Sequence, residues 1–119
     1  MQKLTATEEE VMQHIWKLGA CTVSQILEQY SDPPPHSTIS SVARILEKKG
    51  FLDHKAYGRT YEYHPIVTKE EYKSGFLKEM LSKYFSNSPQ ALVSFLVQEE
   101  KIDADEMEEL ISSLKNERS

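Results

Sequence analysis

Residues 33–65 constrain the fold of this chain more than any other segment of the sequence. The segment opens with three consecutive prolines, and proline neither donates a backbone hydrogen bond nor leaves the residue before it free to be helical. A helix must therefore end before residue 33, and the prolines form a stiff connector. Apolar residues then follow at the core-facing spacing i, i+3, i+4, i+7, namely Ile39, Val42, Ala43 and Leu46. They predict a helix over residues 37–50.

A β-hairpin is predicted directly after this helix. Residues 51–56 and 59–64 have the composition of two short strands, Tyr57-Gly58 supplies a tight turn between them, and Pro65 ends the second strand. Tyr61 and Tyr63 fall on one face of that strand because side chains alternate along it. The segment is thus typical of a helix followed by a two-stranded hairpin.

Capping signals place the remaining helices. Thr5 and Thr22 each precede a Glu or Gln by three residues, which is the spacing of a capping box, and they start the first two helices. After residue 65, similar signals predict three more helices that begin at Thr68, Ser88 and Asp103. Residues 20–22 are long enough only for a β-bridge. The chain is therefore predicted to be mainly α with a small β-hairpin.

The order of these elements divides the chain into two predicted domains. Residues 1–66 have the order of a winged helix-turn-helix, with a hairpin wing after the third helix. Residues 67–119 are predicted to form a three-helix domain that is too small to hold a large core alone, so we expect a homodimer. The alternative is that these helices fold back on residues 1–66. The expected dimerisation residues are Tyr72, Phe76, Met80, Leu92, Phe95, Leu96, Met107, Leu110, Ile111 and Leu114.

The charge distribution points to one surface. The chain of 119 residues carries a formal net charge of −5, which argues against indiscriminate binding to nucleic acid. Residues 36–64 nevertheless hold five Lys or Arg against three Asp or Glu, together with three histidines. This locally basic segment coincides with the predicted third helix and hairpin.

Once the apolar face of the third helix is buried, its hydroxyls and cations face solvent. A helix fits the major groove of B-DNA, where arginine can bind guanine through two hydrogen bonds and hydroxyls can contact phosphates or base edges. The hairpin tip can reach an adjacent phosphate or the minor groove, where arginine is favoured. The predicted DNA-binding residues are Ser37, Thr38, Ser40, Ser41, Arg44, Lys48, Lys55, Tyr57 and Arg59, and Lys49 is expected to meet the flanking DNA backbone.

Each of these features also has a structural interpretation. Serines on a helix surface are usually only solvated, Arg44 can pair with Glu47, and Tyr63 is expected to be structural. Winged helices also bind proteins, so the alternative function is a protein-interaction module without significant DNA affinity. The basic segment favours DNA, because a protein-docking face is expected to expose apolar or aromatic anchors.

The sequence contains no motif of an enzyme. There is no Gly-rich phosphate loop, no His-x-x-x-His pair and no G-x-S-x-G, and we predict no cofactor and no metal site. No run approaches the ~20 apolar residues of a membrane span, and the N-terminus lacks an apolar signal segment, so we expect a cytoplasmic protein without direct membrane insertion. Cys21 is the single cysteine. It is expected to be buried and inert, with a redox switch as the alternative.

Several stretches together match a known pattern. They are Leu4-Thr5-x-x-Glu8-x-x-Val11-Met12-x-x-Ile15-Trp16, Ser37-Thr38-Ile39-Ser40-Ser41-Val42-Ala43-Arg44-Ile45-Leu46-Glu47-Lys48-Lys49-Gly50, the hairpin Gly58-Arg59-Thr60-Tyr61-Glu62-Tyr63-His64-Pro65, and, near the C-terminus, Ala91-Leu92-Val93 and Glu108-Glu109-Leu110. In these stretches the chain resembles the penicillinase repressor family, the small winged-helix repressors of β-lactamase and methicillin-resistance operons. The resemblance covers nearly the whole chain.

The resemblance implies a homodimeric repressor that binds a palindromic operator in double-stranded DNA. It also implies release by proteolysis in the C-terminal domain, triggered by a membrane sensor with a metalloprotease domain. The resistance repressors are cut at an Asn-Phe bond in the fifth helix, and Ser94, Phe95 and Leu96 form the equivalent region here. Their recognition-helix arginine lies one position later, where this chain has Ile45, so their operator sequence does not carry over.

Overall fold

The structure is a computed structural model that describes residues 2–99 together with residues 105, 109 and 112. Its contacts divide the chain into two compact units, Met1–Lys69 and Glu70–Ser119. In the described residues, no helix is both long enough and apolar enough to cross a bilayer.

The first unit is a small winged helix. Its elements in chain order are α1 (Ala6–Leu18), β1 (Cys21–Thr22), α2 (Val23–Leu27), α3 (His36–Lys48), β2 (Leu52–Tyr57) and β3 (Thr60–Pro65). The strands form an antiparallel sheet in the order β1-β3-β2, so the predicted hairpin is confirmed, but Tyr57 pairs with Thr60 and the turn is Gly58-Arg59, one residue later than predicted. The short segment predicted as a bridge forms a third strand, in which Cys21 pairs with Tyr63 and Thr22 with Glu62.

Both predicted capping boxes of this unit are closed. At α1 the Thr5 hydroxyl accepts from the Glu8 N–H at 3.2 Å, and the Glu8 carboxylate accepts from the Thr5 N–H at 2.9 Å. Thr22 and Gln25 make the same pair of bonds at α2, at 3.2 and 2.9 Å. Each box satisfies two backbone donors that the helix itself leaves without partners, which explains why these helices begin where the spacing predicts.

The core of the first unit lies between α1, α3 and the sheet. Val11, Met12 and Ile15 of α1 are fully buried, and Ile39, Ala43 and Leu46 bury the inner face of α3. Val42, which was predicted to belong to that inner face, is only half-buried. The outer face of α3 is thereby fixed, because burial of one stripe leaves the opposite stripe in solvent.

A Schellman motif ends α3 and turns the chain toward β2, the first strand of the wing. Gly50 adopts φ 85°, a left-handed conformation that favours glycine, and its N–H donates to the Glu47 carbonyl at 3.0 Å. The next N–H, from Phe51, donates back to the Leu46 carbonyl at 3.0 Å. The motif ends the helix at Lys48, two residues earlier than predicted, and it places the buried Phe51 in the core.

The second unit contains α4 (Lys69–Tyr84) and α5 (Pro89–Gln98) among its described residues. Ser88 caps α5 by accepting from the Ala91 N–H at 3.1 Å, as predicted. Leu81 and Leu92 form the centre of a small core, against which Leu77, Met80, Phe85 and Leu96 pack. Met107, Leu110, Ile111 and Leu114 of the predicted sixth helix lie outside the described residues.

Cys21 is fully buried in β1. Burial, together with the nearby carboxylate of Glu62, raises the pKa of the Cys21 thiol from 9.0 to about 11. Because the thiolate is the reactive species, a thiol with a raised pKa and no exposure is inert at neutral pH. The structure therefore favours the structural interpretation of this cysteine over the redox switch.

We expect Cys21 in the native protein to react with Ellman's reagent only as fast as the first unit opens. The raised pKa keeps the thiol protonated at pH 8, and burial denies the reagent access. Absorbance should therefore rise slowly in buffer and immediately in guanidinium chloride. Complete reaction of the folded protein within the mixing time would contradict this assignment.

Candidate nucleic-acid interface

A groove of about 760 Å³ runs between α2, α3 and the wing. Three elements supply its polar lining, and the side chains of that lining combine hydroxyls, imidazole and guanidinium groups. They are Thr22 and Ser24 at the start of α2, His36, Ser40 and Arg44 on α3, Arg59 at the tip of the hairpin, and Thr60, Tyr61 and Tyr63 on β3. The groove therefore joins the face of α3 predicted to contact DNA with the turn of the wing.

Every residue predicted to bind DNA is accessible. Eight of the nine are exposed, and Ser40 is half-buried. Three of these residues, Ser40, Arg44 and Arg59, line the groove. The other six lie outside its lining: Ser37, Thr38, Ser41 and Lys48 on α3, Lys55 on β2 and Tyr57 at the end of β2.

The N-terminus of α3 lacks a side-chain cap. Its N-cap is Pro35, which makes no side-chain cap hydrogen bond, and no acidic residue lies in the first turn. The helices α1, α2 and α5 are instead capped by Thr5, Thr22 and Ser88. The N–H groups of Thr38 and Ile39 donate to the Pro35 carbonyl, so a phosphate at the positive end of the helix dipole would accept from those of His36 and Ser37.

Arg44 has no ion-pair partner within the part of the chain that the structure describes. Glu47, the acid suggested as its partner, lies 2.6 Å from Nδ1 of His54 instead. Arg44 also lies near Tyr63. Burial and the charge of Glu47 raise the pKa of the Tyr63 hydroxyl, and the positive charge of Arg44 lowers it. The guanidinium therefore remains available at the edge of the groove.

Lys49 does not face the groove, and the expectation that it meets DNA is wrong. Its ammonium pairs with Glu8 of α1 at 2.5 Å and also donates to the Lys3 carbonyl at 3.3 Å. Burial raises the pKa of Glu8, but the hydrogen bonds from Lys49 and Thr5 outweigh it, so the pKa falls below the ordinary 4.5. Lys49 thus holds the end of α3 against α1.

Stacked aromatic rings stiffen the wing. The rings of His54 on β2 and Tyr61 on β3 stack with centroids 4.2 Å apart and planes 13° from parallel. Tyr63 meets Tyr61 edge-on at 6.3 Å and is buried, in agreement with the expectation that it is structural. Such contacts between neighbouring strands hold the hairpin in one conformation beside α3.

Sequence reasoning assigned no DNA contact to three groups that the structure places near this surface. Ile45 is 43% exposed, although isoleucine favours burial, and Thr22 and Ser24 enter the groove from α2. The sequence could have placed Ile45 on the exposed face of α3, because it lies four residues after Ser41 and three before Lys48 on the same helix. The contribution of α2 had no local signal, because it depends on how two helices pack.

The predicted dimerisation residues of α4 and α5 occupy different environments. Leu92 is buried in the small core of the second unit, and Tyr72, Met80 and Leu96 are half-buried. Phe76 and Phe95 are 53% and 48% exposed. In the expected cleavage region, Ser94 and Phe95 are exposed and Leu96 is half-buried, all within α5.

Comparisons with solved structures show the fold. A chain described as belonging to the complex structure of hsRosR-S4 aligns with a TM-score of 0.53 and 20% identity, covering 83% of this chain and 90% of that chain. A second, from the complex structure of hsRosR-S1, aligns with a TM-score of 0.50 and 22% identity, covering 82% and 91%. The chain shares the overall fold of these proteins.

Sequence comparisons show the family. The chain is 29% identical over 110 residues to the methicillin resistance regulatory protein MecI of Staphylococcus aureus (strain N315), which covers 91% of this chain and 89% of that protein. It is 24% identical over 119 residues to the penicillinase repressor of Bacillus licheniformis, covering 98% and 93%. Residues 4–116 match the family model described as penicillinase repressor. Because that match spans nearly the entire sequence, the chain belongs to the penicillinase repressor family, whose named relatives here are regulators and not enzymes.

Proposed function

We propose that this protein is a dimeric transcriptional repressor that binds a palindromic operator through α3 and the wing. The observation that carries the proposal is the groove in which Ser40 and Arg44 of α3 meet Arg59 of the wing, beside an uncapped helix N-terminus. The similarity to repressors over most of the chain supports the same function.

In the proposed complex, α3 lies in the major groove. Arg44 forks onto O6 and N7 of a guanine, and the hydroxyls of Ser37, Thr38 and Ser41 contact base edges or phosphates. Ile45 supplies an apolar contact that fits the C5 methyl of thymine. The free N–H groups at the start of α3 bind a backbone phosphate and fix the orientation of the helix.

Arg59 of the wing and the exposed lysines of α3 and β2 contact the DNA backbone. Arg59 lies at the exposed turn of the hairpin, where it can enter the minor groove or meet a phosphate. Lys48 and Lys55 are exposed and neutralise flanking phosphates. Each phosphate that a cation neutralises releases counterions, so binding should weaken steeply with salt.

A dimer places two copies of α3 on successive turns of the major groove, and this geometry requires a palindrome. Phe76 on α4 and Phe95 on α5 are large apolar side chains that are half exposed in one protomer. Their burial between two copies of the second unit would remove that surface from water and drive association.

We expect Phe95→Ser to weaken the dimer about tenfold, because each protomer loses part of the ~1.5–3 kcal/mol that burying a phenylalanine contributes. Sedimentation equilibrium measures the dissociation constant. Tyr57→Ser is the matched control, since Tyr57 is also an exposed aromatic residue and lies in the wing. An unchanged constant for Phe95→Ser would remove α5 from the interface.

Proteolysis in α5 is the proposed route of release, with a membrane sensor metalloprotease as the proposed partner. Ser94 and Phe95 are accessible, but they lie inside a helix, and proteases bind substrates in an extended form. Cleavage at Ser94, Phe95 or Leu96 therefore requires local opening of α5. A cut there would destroy the apolar helix face that the dimer uses.

The test is a fluorescence anisotropy titration of the purified protein against the DNA upstream of its own gene, at two salt concentrations. An unrelated duplex of equal length is the control. We expect preferential, salt-sensitive binding with two protomers per site. If neither duplex binds at low salt, the proposal fails and a protein-interaction module becomes the better interpretation.

A further inference from the structure

We propose that Glu47, Asp53 and His54 form a binding site for one divalent transition-metal ion, such as Zn²⁺, between α3 and the wing. Glu47 lies in the last turn of α3, and the other two residues begin β2. One potential ligand atom from each residue lies within 4.8 Å of the other two. Two carboxylates and one imidazole form a ligand set that suits a first-row transition ion better than Mg²⁺ or Ca²⁺.

The geometry requires only side-chain movement to close around an ion. Ligand atoms that surround a zinc ion at ~2.1 Å lie roughly 3.4 Å apart in a tetrahedral site, which falls between the 2.6 Å from His54 Nδ1 to the Glu47 carboxylate and the 4.8 Å that bounds all three separations. Nδ1 of His54 and the Glu47 carboxylate are already 2.6 Å apart through their hydrogen bond. The ion would take the place of the proton between them, and that proton moves to Nε2 of His54, so the imidazole binds the metal as a neutral ring. Asp53 is exposed and accepts from the His54 N–H through Oδ1, so its second oxygen, Oδ2, can complete the site.

Two features hold the ligands in place without a metal. The Schellman motif after α3 fixes the turn of the chain between Glu47 and Asp53, whose ligand atoms lie within 4.8 Å of each other. The stack on Tyr61 fixes the ring of His54, and the Asp53 carboxylate accepts from the His54 N–H at 2.8 Å along the edge strand β2. A site whose ligands are already oriented loses little conformational freedom on binding.

We expect a bound ion to regulate operator binding by changing the charge of this surface. This expectation rests on the proposed function. Glu47 and Asp53 place two negative charges beside Arg44 and the exposed Lys48 and Lys55. A metal-bound imidazole is neutral, so a divalent ion cancels both charges. The α3 and wing surface then repels phosphates less, and operator affinity should rise.

Metal uptake is measured first, with untagged full-length protein freed of metal by a chelator. Co²⁺ is titrated into the protein and followed by visible absorption and calorimetry. We expect saturable uptake of one ion per protomer, lost in His54→Asn and reduced in Glu47→Gln. His14→Asn is the control, because His14 packs against Tyr30 on another part of the unit. Zn²⁺ should likewise raise the melting temperature of the wild type and the control but not of His54→Asn, since an ion that binds the native state stabilises it.

Equal uptake by the wild type and the two ligand variants, or no saturable uptake by any protein, would overturn the site. The second measurement repeats the operator titration with and without Zn²⁺. We expect roughly threefold or greater tightening in the wild type and none in His54→Asn, as two cancelled charges near phosphates predict. Uptake without this difference would overturn the regulatory effect. If no duplex binds under any condition, the proposed function fails while the Co²⁺ titration still decides the metal site.

Discussion

Arg44→Ala is expected to weaken operator binding by at least roughly 30-fold and to relax the sequence preference at one base pair of each half-site. A bidentate contact to guanine discriminates by about 1–3 kcal/mol, and a dimer makes that contact twice. Arg44 suits this role because it is exposed at the groove and has no ion-pair partner among the described residues. Anisotropy titrations against the operator and against single-base variants of it measure both effects.

Two variants distinguish a specific contact between Arg44 and a base from a simple effect of its positive charge. Arg44→Lys keeps the charge but loses the planar fork, so it should recover little of the specific affinity. Lys48→Ala removes an exposed cation one turn later, and it should weaken binding to all duplexes alike and lower the salt dependence by about one counterion per protomer. Equal losses on operator and random DNA for Arg44→Ala would reassign Arg44 to a phosphate.

Lys49→Met is expected to destabilise the first unit by about 2–3 kcal/mol. The Glu8 carboxylate is only 8% exposed, and without the ammonium it retains the Thr5 N–H as its remaining donor. Removing one partner of a buried ion pair leaves a charge that this single hydrogen bond compensates only in part. Thermal unfolding followed by circular dichroism should show a melting temperature about 10–20 °C lower for a unit of this size.

The control is Lys48→Met, a neighbouring lysine on the exposed face, which should change the melting temperature little. The double variant Glu8→Gln with Lys49→Met removes the buried charge yet keeps a capping-box residue, so it should regain most of the loss. Failure of this rescue would mean that the aliphatic packing of Lys49, and not its charge, supports α1.

The pH dependence provides an independent check on the same pair. In the wild type the pKa of Glu8 is lowered, so its contribution to stability is present above pH 4.5 and is lost as pH falls through the lowered pKa. In Lys49→Met, burial acts on Glu8 with less opposition, and the penalty disappears when the carboxyl is protonated. The stability difference between the two proteins should therefore shrink as the pH falls from the pKa of Glu8 in the variant to its lowered pKa in the wild type.

The sequence by itself determined the elements whose causes are local. Capping boxes at Thr5 and Thr22 fixed two helix starts, the three prolines fixed the gap before α3, and Gly58 at the turn fixed the hairpin. The apolar spacing of α3 also determined which of its side chains face solvent, because helical periodicity decides faces without knowledge of the partner.

Only the tertiary structure decided which exposed side chains work together. Lys48 and Lys49 are adjacent in the sequence, yet one faces solvent and the other pairs with Glu8, 41 residues away. Likewise Glu47 joins His54 and not Arg44, and β1 joins the sheet by pairing with β3. Periodicity in the sequence indicates which face of a helix or strand a side chain is on, but not how far it lies from residues of other elements. The partner of a charged group depends on which distant element the core brings within a few ångströms of it.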